Sequence, residues 1–246
     1  MRNKVYFISD LHLGARYIAD AQAHEKRVVA WLESIRDHAS ALYLLGDILD
    51  YWYEYRYVVP KGHVRFLGVL ARLVDAGVKV YWFQGNHDIW LFSYMQSEIG
   101  IEVVDGSRVV ELSGKRFFLE HGDGVGHKSA GFRFIRALFR NRLAQKLFSA
   151  VHPRWTVPFA FAWSSSSRNG YGGNADIEAR VQRHLVHLRE FAESYPGEID
   201  YFVFGHLHCI VDERLARGSQ FVVLGDGISH FSYCEFDGRE LKFGSY

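Results

Sequence analysis

The chain has 246 residues, of which 48% are hydrophobic, 23% charged and 16% aromatic, and its formal net charge is +1. This length and composition predict one globular domain with a sizeable core and exclude an intrinsically disordered chain. The small net charge provides no overall attraction to nucleic acid, which is therefore not expected as a partner.

The first part of the chain alternates between short apolar runs and helical patterns. Apolar residues recur at helical spacing over 28–35 and 66–74, and a further helix is predicted from 176 to about 194. The apolar runs are rich in β-branched and aromatic residues, which predicts strands buried on both faces. These runs are at 5–8, 42–45, 78–83, 117–119 and 201–204.

The last part of the chain has a different pattern. Three short apolar segments are separated by glycine-containing turns and predict a β-meander. They are at 220–224, 231–236 and 241–243. Together with the strand–helix alternation before them, they predict an α/β fold, a two-sheet sandwich in which residues 1–246 form a single domain.

Residues 124–175 differ in composition from the rest of the chain. They contain no Asp or Glu but eight Lys and Arg residues. Apolar residues from Phe132 to Leu143 follow helical spacing, and Arg133, Arg136 and Arg140 lie on a different face. We interpret about 124–175 as a helical cap inserted over the core.

Five short polar clusters follow strand-like runs, in the places where α/β folds put their ligands. They are at 10–12, 46–50, 85–88, 121–123 and 205–208. A Gly-Asp pair alone is usually a turn, and a lone His is usually a satisfied polar group. All five clusters in order indicate one site, with ligands from Asp10, His12, Asp47, Asn86, His121, His206 and His208.

The residue types indicate the chemistry of this site. Carboxylate, amide and imidazole ligands suit Mn, Fe or Zn better than Ca or a structural zinc ion. Seven ligands with one shared carboxylate fit two divalent ions ~3.5–4 Å apart, and we expect manganese. Asp88 and Asp123 are predicted to support the ligands, whereas Asp50 is given no catalytic role.

The ordered clusters resemble the calcineurin-like metallophosphoesterase superfamily, from Asp10 to His208. The resemblance implies a metal-dependent hydrolase of a phosphate ester or anhydride. It also implies that His87 is the general acid or stabilises charge in the transition state. It assigns one ion to Asp10, His12 and His208, a second to Asn86, His121 and His206, and a bridge to Asp47.

The chain length, the opening at 8–13 and the basic insertion are similar to those of bacterial UDP-2,3-diacylglucosamine pyrophosphatases of the lipid A pathway. Those enzymes split the diphosphate of their substrate into UMP and 2,3-diacylglucosamine 1-phosphate. Their better-known members carry Arg at the position of His87 and an acidic residue near Lys128 and Ser129. A sugar phosphate leaves readily beside a fixed cation, but an alcohol leaving group needs a proton donor such as His. His87 therefore leaves a phosphodiester or phosphomonoester substrate open.

The resemblance implies a nucleotide–lipid substrate, and the cap is predicted to bind it. Cations there would hold phosphates, and apolar side chains would receive acyl chains or contact a membrane surface. The alternative is a helical hairpin packed on the core with a solvated basic face. The predicted substrate-binding residues are Lys128, Arg133, Arg136, Phe139, Arg140 and Leu143.

Two other functions are compatible with parts of this sequence. A soluble phosphodiesterase or nuclease could use the same metals, with aromatic side chains stacking on bases. A non-catalytic binding scaffold is disfavoured because every expected ligand is present.

The apolar run at 5–8 is too short for a signal peptide, and no stretch approaches the ~18–20 apolar residues of a membrane span. We expect a cytoplasmic protein, with possible peripheral contact to the cytoplasmic face of the inner membrane.

Overall fold

The computed structural model describes residues 2–125, 130–168 and 174–246. The described strands form two mixed sheets. The first sheet has the spatial order β11 (Leu241–Ser245), β10 (Ser232–Phe236), β1 (Lys4–Ile8), β2 (Ala39–Leu45), β3 (Lys79–Phe83) and β4 (Glu102–Val104). The second has the order β5 (Arg108–Leu112), β6 (Lys115–Glu120), β7 (Tyr201–Phe204), β9 (Gln220–Leu224) and β8 (Ile210–Arg214).

Six α-helices accompany the two sheets in the described ranges. They are α1 (Ala21–Ile35), α2 (Val64–Asp75), α3 (Ala130–Arg140), α4 (Arg142–Ala150), α5 (Pro153–Arg168) and α6 (Asn174–Ser194), with a π-helical turn at Met95–Ile99. Helices α1 and α2 pack on the first sheet and α6 packs on the second. None of the helices in the described ranges combines the length and the apolar character needed to cross a membrane.

The alternation of side chains along β1 explains the layers. Val5 and Phe7 point into the space between the sheets, where Phe7 stacks on Phe117 of β6 with ring centroids 5.6 Å apart. Tyr6 and Ile8 point to the opposite face and pack among the residues of α1 and α2. Because both faces of the strand are buried, its sequence is continuously apolar. The predicted α/β two-sheet sandwich is confirmed.

The predicted β-meander at the end of the chain is wrong. Strand β9 pairs with β7 and β8 in the second sheet, whereas β10 pairs with β1 and β11 in the first. The chain therefore crosses between the sheets at 225–231. In β10 the side chains of Cys234 and Phe236 are buried between the sheets, so the strand is held by this core and by its antiparallel pairing with β1.

Helices α3, α4 and α5 lie within the segment interpreted as a cap, and each accepts or shares a hydrogen bond with an aromatic side chain of the body. The bonds are Trp90 Nε1 to Phe139 O (2.9 Å), Tyr53 Oη to Gln145 O (2.6 Å) and Tyr55 Oη with Thr156 Oγ1 (2.7 Å). The helical spacing of 132–143 does not belong to one helix. Asn141 separates α3 from α4, and its Oδ1 accepts the backbone N–H groups of Leu143 and Ala144, so Leu143 belongs to a new helix.

Candidate metal centre

The predicted ligands lie at one edge of the sandwich because of its strand directions. Strands β1, β2 and β3 are parallel in the first sheet, and β6, β7 and β9 are parallel in the second. Each of the five polar clusters follows the carboxyl end of one of these strands. The topology therefore brings segments far apart in sequence to a single site.

Asp10, His12 and His208 form the first group of candidate ligands. Asp10 Oδ1 lies 3.3 Å from His208 Nε2 and 3.8 Å from His12 Nε2. Both Asp10 Oδ1 and His12 Nε2 are buried, and neither has a hydrogen-bond partner within the described ranges. Burying polar atoms without partners costs about 1–3 kcal/mol each. A divalent ion among the three side chains would remove that cost, so the donor set fits a metal.

Asp47, His121 and His206 form a second group. Asp47 Oδ2 lies 3.4 Å from His121 Nε2, and His206 Nδ1 lies 3.3 Å from the same nitrogen. Asp47 Oδ2 is also 3.7 Å from His12 Nε2, so this single oxygen stands between the two groups. Asn86 Oδ1 is buried without a hydrogen-bond partner among the described residues. The arrangement can hold two ions that share one carboxylate.

Hydrogen bonds fix the orientation of three of these imidazoles. In each, Nδ1 faces an oxygen that only accepts, so Nδ1 carries the proton and the lone pair of the neutral ring is on Nε2. The accepting atoms are Leu45 O for His121 (2.8 Å), Asp50 Oδ1 for His12 (3.3 Å) and Asp226 Oδ2 for His208 (3.1 Å). The nitrogens that face the candidate metal positions are therefore those able to bind an ion.

The charges of the site agree with this assignment. Burial alone would raise the pKa of Asp10, but the neighbouring imidazoles of His208 and His12 lower it to about 2. The pKa of Asp47 is also well below its usual value, because His121 and His87 outweigh its burial. Both carboxylates are thus ionised at neutral pH, the form in which they bind metals.

The backbone of the ligand loops is strained. Eight non-glycine residues with positive φ occur in the described ranges, and five of them are candidate ligands. Those five are Asp10, His12, Asp47, His206 and His208. A Cβ at Gly85 would lie 2.2 Å from Asp47 Oδ1, and one at Gly205 would lie 2.7 Å from Asp10 Oδ2, so glycine permits these close approaches. Strain of this kind concentrates at functional sites.

Asp88 and Asp123 lie beneath the ligand loops but have different contacts. Asp88 is fully buried and accepts hydrogen bonds from Gly85 N (2.7 Å), Ile48 N (2.9 Å) and Trp82 Nε1 (3.0 Å). It therefore joins the loop that carries Asp47 to the loop that carries Asn86. Asp123 Oδ2 accepts instead from Arg136 Nε of α3 at 3.1 Å, so it links the loop of His121 to the cap.

His87 lies beside both groups. Its Nδ1 is 3.2 Å from Asp50 O and 3.4 Å from Asp50 Oδ1, and its Nε2 is 3.9 Å from Asp47 Oδ2. Burial lowers the pKa of His87, but the negative charges of Asp47 and Asp50 have the larger combined effect and raise it to about 9. The side chain can therefore present a charged N–H group to an anion at the metal centre.

Sequence reasoning missed three supporting residues. Asp50, for which no catalytic role is predicted, accepts a hydrogen bond from His12 Nδ1 and lies beside His87. Asp226 follows the end of β9 in a Gly-Asp pair, the signal that also marks Asp47, but it was overlooked. His184 of α6 places Nε2 3.0 Å from Gly122 O, and no sequence pattern indicated it.

The predicted substrate-binding residues of the cap have diverse environments. Arg136 pairs with Asp123 and Arg140 pairs with Asp105, so both cations contact carboxylates of the body. Phe139 packs on Trp90, with ring centroids 5.4 Å apart, whereas Leu143 is 66% exposed. Lys128 and the side chain of Arg133 lie outside the described residues.

Comparisons with known proteins identify the family of the chain. A profile of the calcineurin-like phosphoesterase family matches residues 3–209. A UDP-2,3-diacylglucosamine hydrolase of Porphyromonas gingivalis is 44% identical over 260 aligned positions, covering 100% of this chain and 98% of that protein. A UDP-2,3-diacylglucosamine hydrolase of Serratia proteamaculans is 27% identical and covers 89% of each chain. A dimetal phosphatase from Danio rerio is a structural neighbour with a TM-score of 0.44 and 15% identity, covering 99% of this chain and 98% of that one.

Proposed function

The chain belongs to the calcineurin-like phosphoesterase family and is a metal-dependent hydrolase, and we propose that its substrate is UDP-2,3-diacylglucosamine. Hydrolysis would break the diphosphate and yield UMP and 2,3-diacylglucosamine 1-phosphate. The observation that supports this most directly is the position of Asp47 Oδ2, which lies within 3.7 Å of ligand nitrogens from both groups. A carboxylate shared in this way is the central element of a two-metal phosphoesterase.

The two groups of side chains would hold two divalent ions, for which we propose manganese. Oxygen and imidazole ligands without thiolate suit this metal. The proposed ligands are Asp10, His12 and His208 for one ion, Asn86, His121 and His206 for the other, and Asp47 for both. When bound, the ions supply an activated water nucleophile and stabilise negative charge on the phosphoryl group.

His87 would act on the same phosphoryl group from the side of Asp50. Its Nε2–H would donate to a phosphoryl oxygen or to the departing oxygen, and Asp50 would hold the ring by Nδ1. A fixed cation is sufficient when the leaving group is a phosphate, because that group needs little protonation. His87 can therefore perform the role for which a charged side chain is required in a diphosphate hydrolase.

A cavity whose wall includes the segment that follows Asp50 supports an acylated substrate. It has a volume of about 690 Å³ and lies between the segment 51–63 and helix α5. Its wall includes Tyr51, Val157 and Phe161, and Tyr51 directly follows Asp50, the partner of His12. Apolar cavities of this size bind ligands the size of a drug or a lipid fragment. We assign this cavity to an acyl chain of the substrate.

The outer face of the cap would contact the membrane in which such a lipid resides. Leu143, Leu147 and Trp155 are exposed on α4 and α5, and Lys146 and Arg154 are exposed among them. Residues 124–175 contain no acidic residue that would repel an anionic lipid surface. We therefore propose peripheral contact with the cytoplasmic face of the inner membrane through this face, in a cytoplasmic protein.

The decisive experiment is turnover of UDP-2,3-diacylglucosamine by the purified full chain with Mn²⁺, measured as release of UMP. UDP-glucose, a cyclic nucleotide and bis(p-nitrophenyl) phosphate serve as comparison substrates. We expect the diacylated substrate to have the highest kcat/KM, because only it fills the apolar cavity. Faster hydrolysis of the nucleotide diesters would instead identify a soluble phosphodiesterase, the function that His87 leaves open.

A further inference from the structure

The loop at 225–231 borders the metal centre but belongs to none of the five motifs. Gly227 N donates to Asp10 O at 3.1 Å, and a Cβ at Gly227 would lie 2.4 Å from Leu11 Cδ2. The loop is thus packed directly on the segment that carries Asp10 and His12. The guanidinium of Arg27 lies 3.9 Å from the ring centroid of Phe231 and holds the far end of the loop.

Asp226 connects two histidines within this loop. Its carboxylate is buried, with Oδ2 3.1 Å from Nδ1 of the ligand His208 and Oδ1 3.3 Å from Nδ1 of His230. An ionised carboxylate only accepts hydrogen bonds, so Nδ1 of each ring carries a proton. Each ring therefore directs Nε2 away from Asp226. His208 Nε2 points to Asp10, and the side chain of His230 is 36% exposed.

The ring of His230 is not needed to satisfy Asp226. Oδ1 already accepts the backbone N–H groups of Ile228 (3.1 Å), Ser229 (2.7 Å) and His230 (2.9 Å), and the imidazole contact is the longest of the four. No described residue hydrogen-bonds to His230 Nε2. The loop would keep its shape with another side chain at this position. Because the ring is oriented without being structurally required, it is available for a ligand.

We propose that His230 binds the second phosphoryl group of a nucleoside diphosphate whose first phosphoryl group lies beside His208. His208 and His230 each contact one of the two oxygens of the Asp226 carboxylate, so their rings are close neighbours. The two phosphorus atoms of a diphosphate are also close neighbours, because a single oxygen joins them. A cationic imidazole that donates from Nε2 to a phosphoryl oxygen makes a charge-assisted hydrogen bond. The inference rests on the proposed function for its ligand class, and it adds a binding residue outside the family motifs.

The test measures binding, so it does not depend on turnover. The manganese-loaded full chain is titrated calorimetrically with the α,β-methylene analogue of UDP, which resists hydrolysis, and separately with UMP. We expect His230→Ala to weaken binding of the analogue about tenfold and binding of UMP less than twofold, since a charge-assisted hydrogen bond is lost. His230→Gln, which keeps a polar group, should show a smaller loss. The matched control His38→Ala changes an exposed histidine just before β2, at the opposite end of the sheet.

Three results would overturn the proposal. They are unchanged binding of the analogue, equal weakening of the analogue and UMP, or a fall below two bound manganese ions in His230→Ala. The third result would mean that the loop only supports the metal centre. The wild-type protein could bind the analogue more tightly than UMP and still not hydrolyse UDP-2,3-diacylglucosamine. That result would support the role of His230 and contradict the proposed substrate.

Discussion

The buried carboxylate of Asp88 provides a quantitative test of how the ligand loops are held together. Its Oδ1 accepts from Gly85 N at 2.7 Å and Asp47 N at 3.3 Å, and its Oδ2 accepts from Ile48 N at 2.9 Å and Trp82 Nε1 at 3.0 Å. The substitution Asp88→Asn preserves the shape but replaces one acceptor by an N–H donor. Whichever oxygen is replaced, at least two buried donors lose their acceptor, since Oδ2 also accepts from Leu49 N at 3.5 Å.

The magnitude follows from these contacts. Leaving a buried donor without an acceptor costs about 1–3 kcal/mol, so the loss for two donors should lower the free energy of unfolding by about 2–6 kcal/mol. That is a large part of the ~5–15 kcal/mol by which a typical protein is stable. Because Asp88 joins the loops of Asp47 and Asn86, we also expect weaker manganese binding in Asp88→Asn.

Urea unfolding followed by circular dichroism, in the presence of EDTA, measures the stability change without a contribution from bound metal. The control is Asp237→Asn, because Asp237 Oδ1 also accepts two backbone N–H groups, from Arg239 and Glu240, but in an exposed turn. Solvent can replace those bonds, so the control should unfold almost as the wild type does. A loss below ~1 kcal/mol for Asp88→Asn would refute the reasoning, because the buried donors would then have found other partners.

Three further predictions concern the metal centre, the acid and the cap. EDTA should abolish activity, and Mn²⁺ should restore it. Asp47→Ala should bind fewer than two ions by elemental analysis and lose activity at least ~10³-fold. Two retained ions in this variant would contradict the shared carboxylate. His87→Gln should lower kcat for diesters with poor leaving groups more than kcat for the diphosphate, as measured on a leaving-group series. His87→Arg should retain diphosphate hydrolysis. Equal losses of kcat for all leaving groups would indicate that His87 has a purely electrostatic role. Leu143→Asp should raise KM for UDP-2,3-diacylglucosamine and leave the hydrolysis of bis(p-nitrophenyl) phosphate unchanged. Phe139→Asp should impair the hydrolysis of both substrates because Phe139 packs on Trp90. An unchanged KM in Leu143→Asp would count against lipid contact at this position.

The central strands could be predicted because burial on both faces gives them a continuous apolar sequence. The runs at 5–8, 42–45 and 201–204 correspond to β1, β2 and β7. Strands β5 and β8 were missed because they are edge strands in which exposed and partly buried residues alternate. The sheet to which β10 belongs depends on its long-range pairing with β1, which local sequence does not encode.

The candidate site could be predicted as far as its ligands follow strands, but not in its supporting contacts. The orientation of His121 depends on the backbone carbonyl of Leu45, which any residue at that position would provide. That of His208 depends on Asp226, in a loop that is brought to the site only because β9 lies parallel to β7. Contacts of this kind come from topology. Sequence motifs therefore predict the ligands but not the groups that orient them.

The aromatic excess of the sequence connects the cap with the metal centre. Tyr53 and Trp90 lie six and four residues after the ligands Asp47 and Asn86, and both donate hydrogen bonds to backbone carbonyls of the cap helices. The segments that hold the cap are therefore continuous with those that hold the proposed ions. Because the cavity proposed for an acyl chain is lined by Tyr51 from the first segment and Phe161 from the cap, its shape depends on how the helices dock on these loops. The same few residues thus couple the position of the apolar cavity to the position of the metal ligands, as required if a lipid-linked diphosphate is to be held by its chain and cleaved at its phosphates.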